Sequence, residues 1–233
     1  DFRRIDPRAA TVMLLEGGRQ LLPSYPAELG DRARESLRRL GVDVRTETFV
    51  TDVQADHVSA GRLRIPTHTV VWAAGNRASP LLATLGVPLD KFGRALVEPD
   101  CSVPGHREVF VLGDAAAFPD KDGTPLPGLC PVAIQQGKYA AATIRTDLAG
   151  KPRRPFSYRD KGQLAVIGRG RGVADFGPLH FHGFIAWLAW IFVHIFFLIG
   201  FRNRVLVLFE WAWSYFTFGR GARIITGEFS AEH

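Results

Sequence analysis

Between Phe176 and Phe201 the chain carries no Asp, Glu, Lys or Arg, and this run restricts the fold more than any other stretch. Twenty-odd uncharged, largely apolar residues must either be covered by protein or meet lipid. The inner part, GFIAWLAWIFVHIFFLIGF (183–201), has the length of a transmembrane helix. His194 near its centre opposes a single span, and a second amphipathic segment follows at once. Over 203–221, Glu210, Ser214 and Thr217 share one helical face, while Leu206, Phe209, Trp211, Trp213, Phe216 and Phe218 cover much of the rest. Arg202 and Arg204 separate the two segments, and Arg220 and Arg223 close the second. Trp-rich apolar faces bordered by arginines suit helices lying in the headgroup region. The expectation is therefore an in-plane membrane anchor rather than a span, with a buried helix hairpin as the remaining alternative.

The rest of the chain has a different character. Its 233 residues suffice for one large domain or two small ones, and 46% apolar with 22% charged residues is a globular balance. A net charge of +6 favours an anionic partner: nucleotide phosphates, nucleic acid or an anionic membrane surface. Four of the five Trp lie after residue 180, which argues for membrane and against nucleic acid. Two cysteines, Cys101 and Cys130, exclude a disulfide framework and favour a reducing compartment. With no CxxC or CxxxxC pair, dithiol chemistry is not expected, and both are read as small buried residues. No secretory signal is visible in DFRRIDPRAA, and the abrupt start on Asp1 reads as a beginning partway through a longer protein.

Periodicity gives an α/β order. TVMLLE (11–16) reads as a short strand ending in an acid, and Leu29, Ala33, Leu37 and Leu40 mark one face of a helix over 27–40. Gly41 stops it, and 42–53 alternates as a strand. Short antiparallel strands follow over 53–71, with turns at Ala55-Asp56 and Ala60-Gly61. TVVWAAG (69–75) reads as a buried strand running into glycine. Prolines make 76–108 irregular, a helix is expected over 131–148, and GKPRRPFSYRDKG (150–162) is a basic connector and a candidate boundary. GRGRG (168–172) has the wrong spacing for a phosphate loop and is read as a turn between two strands. His180 and His182 have two-point metal spacing on a strand, but with no third ligand no metal is expected.

VFVLGDAA (109–116) carries the strongest local chemistry. An apolar run ending in Gly113-Asp114 fits a parallel strand whose carboxyl end meets a ligand; the glycine permits close approach and the carboxylate accepts sugar-like hydroxyls. A strand followed by an Asp helix cap is the plainer alternative.

Taken together, LLE (14–16), YP (25–26), VVWAAGN (70–76), GDAA (113–116), AIQQG (133–137), DKGQLAVIG (160–168) and the tail WLAWIFVHIFFLIGFRNR resemble type II NADH:quinone oxidoreductases, the single-subunit, non-proton-pumping NADH dehydrogenases. The resemblance covers residues 1 to 228. It implies an α/β flavoprotein with two Rossmann-like dinucleotide-binding regions for FAD and NADH, plus a carboxyl-terminal membrane-anchoring helical segment. On this chain, 1–80 would be part of the NADH-binding domain, 81–150 the carboxyl-terminal part of the FAD-binding domain, and 151–233 the membrane-attachment module.

The resemblance implies that Glu16 binds the adenosine ribose hydroxyls of NADH and disfavours a 2′-phosphate. Ala74 and Gly75 would lie near the nicotinamide–flavin junction. Gly113, Asp114 and Ala133 would bind FAD, Asp114 at its ribityl–pyrophosphate region. Gln135 and Gln136 would stand beside the isoalloxazine ring and the quinone cavity, and Lys161 would stabilise anionic charge on the flavin. Solvated or structural roles remain the alternatives for these residues. The implied partners are a membrane quinone and the bilayer surface, with no nucleic acid and a homodimer as a further expectation. The implied place is peripheral, on the cytoplasmic face of the cell membrane.

Two departures stand out. Pro131 occupies the position of the first glutamine in the AQxAxQ pattern of many members, which weakens quinone contact there. Neither GxGxxG fingerprint occurs, and in the family both lie upstream of the segment matching Asp1, so the chain reads as a carboxyl-terminal portion. The alternatives are a sulfide:quinone oxidoreductase, which would need paired redox cysteines, and a non-catalytic fragment that binds membrane but neither cofactor.

Overall fold

The computed structural model describes residues 6, 9–75, 77–120, 122–198 and 200–217. Asn76 of the VVWAAGN motif and Phe218, Arg220 and Arg223 of the tail lie outside the described residues. The chain divides into two compact units, one formed by residues 1–68 with 162–233 and the other by 69–161.

In the first unit, β1 (Val12–Leu15) pairs in parallel with β2 (Val42–Arg45), Val12 opposite Val42. The intervening α1 (Ala27–Arg39) has Glu28 in its first turn and Arg38 and Arg39 in its last, each complementing the helix dipole. It buries Leu29, Gly30 and Ala33, and the chain leaves it through Gly41 at φ +87°. A Cβ on Gly30 would lie 2.7 Å from the Leu21 carbonyl oxygen, so only glycine lets the helix approach that loop. β3 (Asp52–Val53), β4 (His57–Ala60) and β5 (Leu63–Pro66) form an antiparallel meander.

The later half of this unit is a second antiparallel sheet, β10 (Gln163–Gly168), β11 (Arg171–Asp175) and β12 (His180–Gly183). The GRGRG stretch is the turn between β10 and β11. Val173 packs with Leu29 and Tyr25, so the sheet shares a core with α1. Helix α3 (Phe184–Phe197) lies on β11, and α4 (Phe201–Thr217) follows. No helix among the described residues is long and apolar enough to cross a membrane. The two helices meet through rings: Trp187 against Tyr215 at 5.2 Å and Trp190 against Trp211 at 5.5 Å. Arg169 donates to the Ser214 and Tyr215 carbonyls near the end of α4, at 3.3 and 3.0 Å, which ties that end to the β10–β11 turn.

The second unit contains the parallel pair β6 (Ala95–Leu96) with β9 (Ala116–Ala117), the hairpin β7 (Ser102–Val103) with β8 (His106–Phe110), and α2 (Cys130–Leu148). Two expectations are corrected here. TVVWAAG is not a buried strand: 69–75 has no regular secondary structure, and Val71 and Trp72 are 84% and 64% exposed. No strand among the described residues pairs with it, and an apolar sequence without a partner forms no ladder. The strand before Gly113 is antiparallel rather than parallel, because the Pro104-Gly105 turn folds β8 straight back on β7. A 3-10 turn at Gly113–Ala115, not a helix, follows it. Cysteine burial is also corrected. Cys101 is fully buried, but Cys130 is exposed because it opens α2; both are free thiols. Burial among apolar groups, with the neighbouring Asp100 charge, pushes the Cys101 thiol up to about 12.

Candidate active site: the Gly113 turn and the start of α2

Gly113 has φ +62°, a left-handed conformation that opens the 3-10 turn and aims its N–H across to α2. That N–H donates to Oε1 of Gln136 at 2.6 Å. A Cβ at Gly113 would sit 3.0 Å from the Cβ of Ala133, so the turn and the helix are in close contact. Asp114 points over Gly128, where an added Cβ would lie 3.2 Å from its Oδ1. Four of the expected site residues, Gly113, Asp114, Ala133 and Gln136, are thus brought together.

The start of α2 completes the arrangement. Leu129 gives the helix no side-chain cap, and Pro131 removes one N–H from the first turn. The positive end of a 19-residue helix therefore opens beside the Asp114 turn. Gln136 is completely buried, and its Nε2 has no hydrogen-bond partner among the described protein atoms. A buried amide donor without an acceptor is costly, and such a group is satisfied when an acceptor-rich molecule sits against it. Helix dipole, amide donor, carboxylate acceptor and two glycines make a donor set that fits the phosphates, hydroxyls and ring carbonyls of a dinucleotide such as FAD.

Gln135 is placed differently. Its amide faces the connector, donating from Nε2 to the Arg159 carbonyl at 2.9 Å and accepting the Arg159 N–H at Oε1 at 3.1 Å. Lys161 is exposed at the end of that connector. Ala74 and Gly75 lie on the exposed, irregular segment 69–75, where the Ala74 carbonyl accepts from the Trp72 indole at 3.0 Å. Glu16 lies in the other unit, at the end of β1, and its Oε1 accepts the Gly18 N–H at 2.7 Å. His180 pairs with Asp175 at 3.3 Å, and no cluster among the described residues has the makings of a metal site.

Sequence reading missed an ionic anchor. Arg153 reaches Asp100 at 2.9 Å, Asp147 through both carboxylate oxygens and the Arg107 carbonyl at 2.8 Å, and lies over the Phe110 ring. Partial burial pushes the Asp100 carboxyl upward, but hydrogen bonds from Ser102 and Arg153 outweigh it and hold it below the usual range. The Arg153 hydrogen bond likewise lowers Asp147. The basic connector gave no hint of which acids Arg153 would meet.

Comparison with known proteins agrees with this architecture. Residues 5–137 match the pyridine nucleotide-disulphide oxidoreductases, and residues 161–221 match the NDH2 C-terminal domain. The type II NADH:quinone oxidoreductase Ndh of Mycobacterium tuberculosis is 41% identical over 97% of this chain and 50% of its own length. That of Staphylococcus saprophyticus is 30% identical over 72% of this chain and 43% of its own. In fold, NDH2 of Plasmodium falciparum, solved in complex with NADH, superposes with a TM-score of 0.78 at 15% identity over 88% of this chain and 58% of that one. The chain belongs to the pyridine nucleotide-disulphide oxidoreductase family. Within that family its relatives are the type II NADH:quinone oxidoreductases, and it spans about half the length of the curated relatives it matches.

Proposed function

We propose that these residues form part of a non-electrogenic NADH:quinone oxidoreductase, in which NADH gives a hydride to FAD and a membrane quinone takes up two electrons and two protons. The observation that carries this reading is the Gly113 turn set against the uncapped start of α2, with the buried Gln136 Nε2, unpartnered among the described residues, between them. The 41% identity to a mycobacterial enzyme of that name supports it. The sequence itself holds neither glycine-rich fingerprint, so the activity is proposed for a protein in which both are supplied.

In this reading bound FAD supplies the hydride acceptance and the two-electron transfer. The chain's own residues bind and orient. Asp114 accepts ribityl hydroxyls, Gly113 and Ala133 leave room for the flavin, and the start of α2 faces negative charge. Gln135 and Gln136 stand at the ring and quinone edge, and Lys161 contributes a positive charge there. Glu16 takes the adenosine ribose hydroxyls of NADH, and Ala74 and Gly75 border the nicotinamide. The corresponding domains are 1–80 for NADH, 81–150 for FAD and 151–233 for membrane attachment.

Helices α3 and α4 are assigned to the bilayer surface. Phe192, Phe201, Trp213 and Phe216 are 70–80% exposed, an apolar face of the kind that meets lipid. Attachment is assigned to the cytoplasmic face, with a homodimer as the assembly. The test is the visible spectrum of the purified protein, with both glycine-rich fingerprints supplied, to which FAD, then NADH, then a soluble quinone are added. Flavin bands that bleach with NADH and recover with quinone are expected; bands unmoved by NADH would refute the reading.

A further inference from the structure

The connector from Lys151 to Lys161 has no regular secondary structure, yet it is fastened to α2 along its length. It runs antiparallel to the helix: Arg153 bonds Asp147, the Tyr139 hydroxyl donates to the Arg154 carbonyl, Phe156 packs on Tyr139, and Arg159 meets Gln135. A second set of ties holds it from the other side, through Arg153 to Asp100 and the Phe156 N–H to the Pro99 carbonyl at 2.8 Å. Beyond Phe156, Tyr158 packs against the same core cluster, and the Arg159 backbone makes two hydrogen bonds with one side chain.

That side chain is Gln135. Its carbonyl oxygen takes the Arg159 N–H and its amide nitrogen reaches the Arg159 carbonyl, so both polar ends serve the connector's backbone, as a strand neighbour would. By contrast, the Gln136 amide nitrogen has no partner among the described residues. Adjacent glutamines on one helix thus have separate tasks. We propose that Gln135 is a positioning residue that fixes the end of this strap and thereby sets where Lys161 is presented. The proposal deepens the reading of the site given above, because it takes Lys161 as the group whose placement matters.

The test is made on the full chain with the variants Gln135→Ala and Gln135→Glu. Alanine suits a helix and removes both bonds; glutamate keeps the acceptor for the Arg159 N–H and loses the donor. Hydrogen exchange is followed at residues 157–161, and acetylation by acetic anhydride, which transfers acetyl to the amine and releases acetate, is compared at Lys161 and at Lys151 on the strap's other end. In Gln135→Ala, exchange at the Arg159 amide should rise about tenfold, as expected when a net hydrogen bond or two is lost. Lys161 labelling should change while that of Lys151 and the exchange of 138–148 and Phe156 do not. Gln135→Glu should restore part of the Arg159 protection. Unchanged exchange at 157–161, or equal changes at both lysines, would overturn the proposal. Flavin affinity is then measured in Lys161→Met: if it is unchanged while the exchange results hold, the strap stands and the role of Lys161 at the flavin falls.

Discussion

Two stretches of the second unit have exchanged the structures their sequences suggest. TVVWAAG, with the marks of a buried strand, is irregular and exposed, while the charged, proline-interrupted 151–161 is held along α2 by a buried aromatic ring and a set of ionic and amide ties. Local pattern states what a segment could bury; available partners decide whether it does. Val71 and Trp72 have no strand beside them among the described residues, whereas Phe156 has Phe118 and Tyr139 rings at 5.2 and 5.4 Å.

The contrast is sharpest in ring deletions. Phe156→Ala should lower the stability of the second unit by about 3 kcal/mol, because it empties a core site. Trp72→Ala, though it removes a larger ring, should change stability by less than about 0.5 kcal/mol. Urea denaturation of both variants measures the difference, and a costly Trp72→Ala would show that 69–75 is packed after all. Next in size, Gly113→Ala should cost about 1–2 kcal/mol, since it combines a left-handed φ with a Cβ 3.0 Å from that of Ala133.

A smaller effect separates the two segments by pH. The Asp100 carboxyl sits below its usual range, so its stabilisation is present above the unfolded value of about 4 and is lost as pH falls through the lower folded value. Acid titration of the wild type should therefore release the strap at low pH. Arg153→Met should be less stable near neutrality and should lose less stability on acidification. An identical acid dependence in the two proteins would mean that Arg153 does not hold the connector through its carboxylates.

What the sequence made legible follows the same division. The α1 helix was readable because Leu29 and Ala33 fall on one face and both are buried; α2 and the β10–β11 hairpin were readable because their periodicity and turn residues close locally. Gly113 and Asp114 could be singled out by residue type, but the tight contact of Gly113 with Ala133 was not foreseen. The Gln136–Gly113 bond spans 23 residues and the Arg153–Asp100 pair 53, and nothing in a local window reports such partners. Cys130 was misread because residue type suggests burial, whereas its place at the start of a helix leaves it exposed. The apolar tail is two helices of 14 and 17 residues, the two segments expected from the sequence, whereas the stacking of Trp190 on Trp211 between them was not foreseen.

The most direct test of the assignment is a titration with FAD of the purified protein, both glycine-rich fingerprints supplied, read by quenching of flavin fluorescence, beside Asp114→Ala and Gln136→Leu. Saturable binding by the wild type, weakened about tenfold or more in each variant, is the expected result, as for loss of a hydrogen bond to a buried ligand. No binding, or binding of equal strength in all three proteins, would contradict the placement of a flavin at the Gly113 turn.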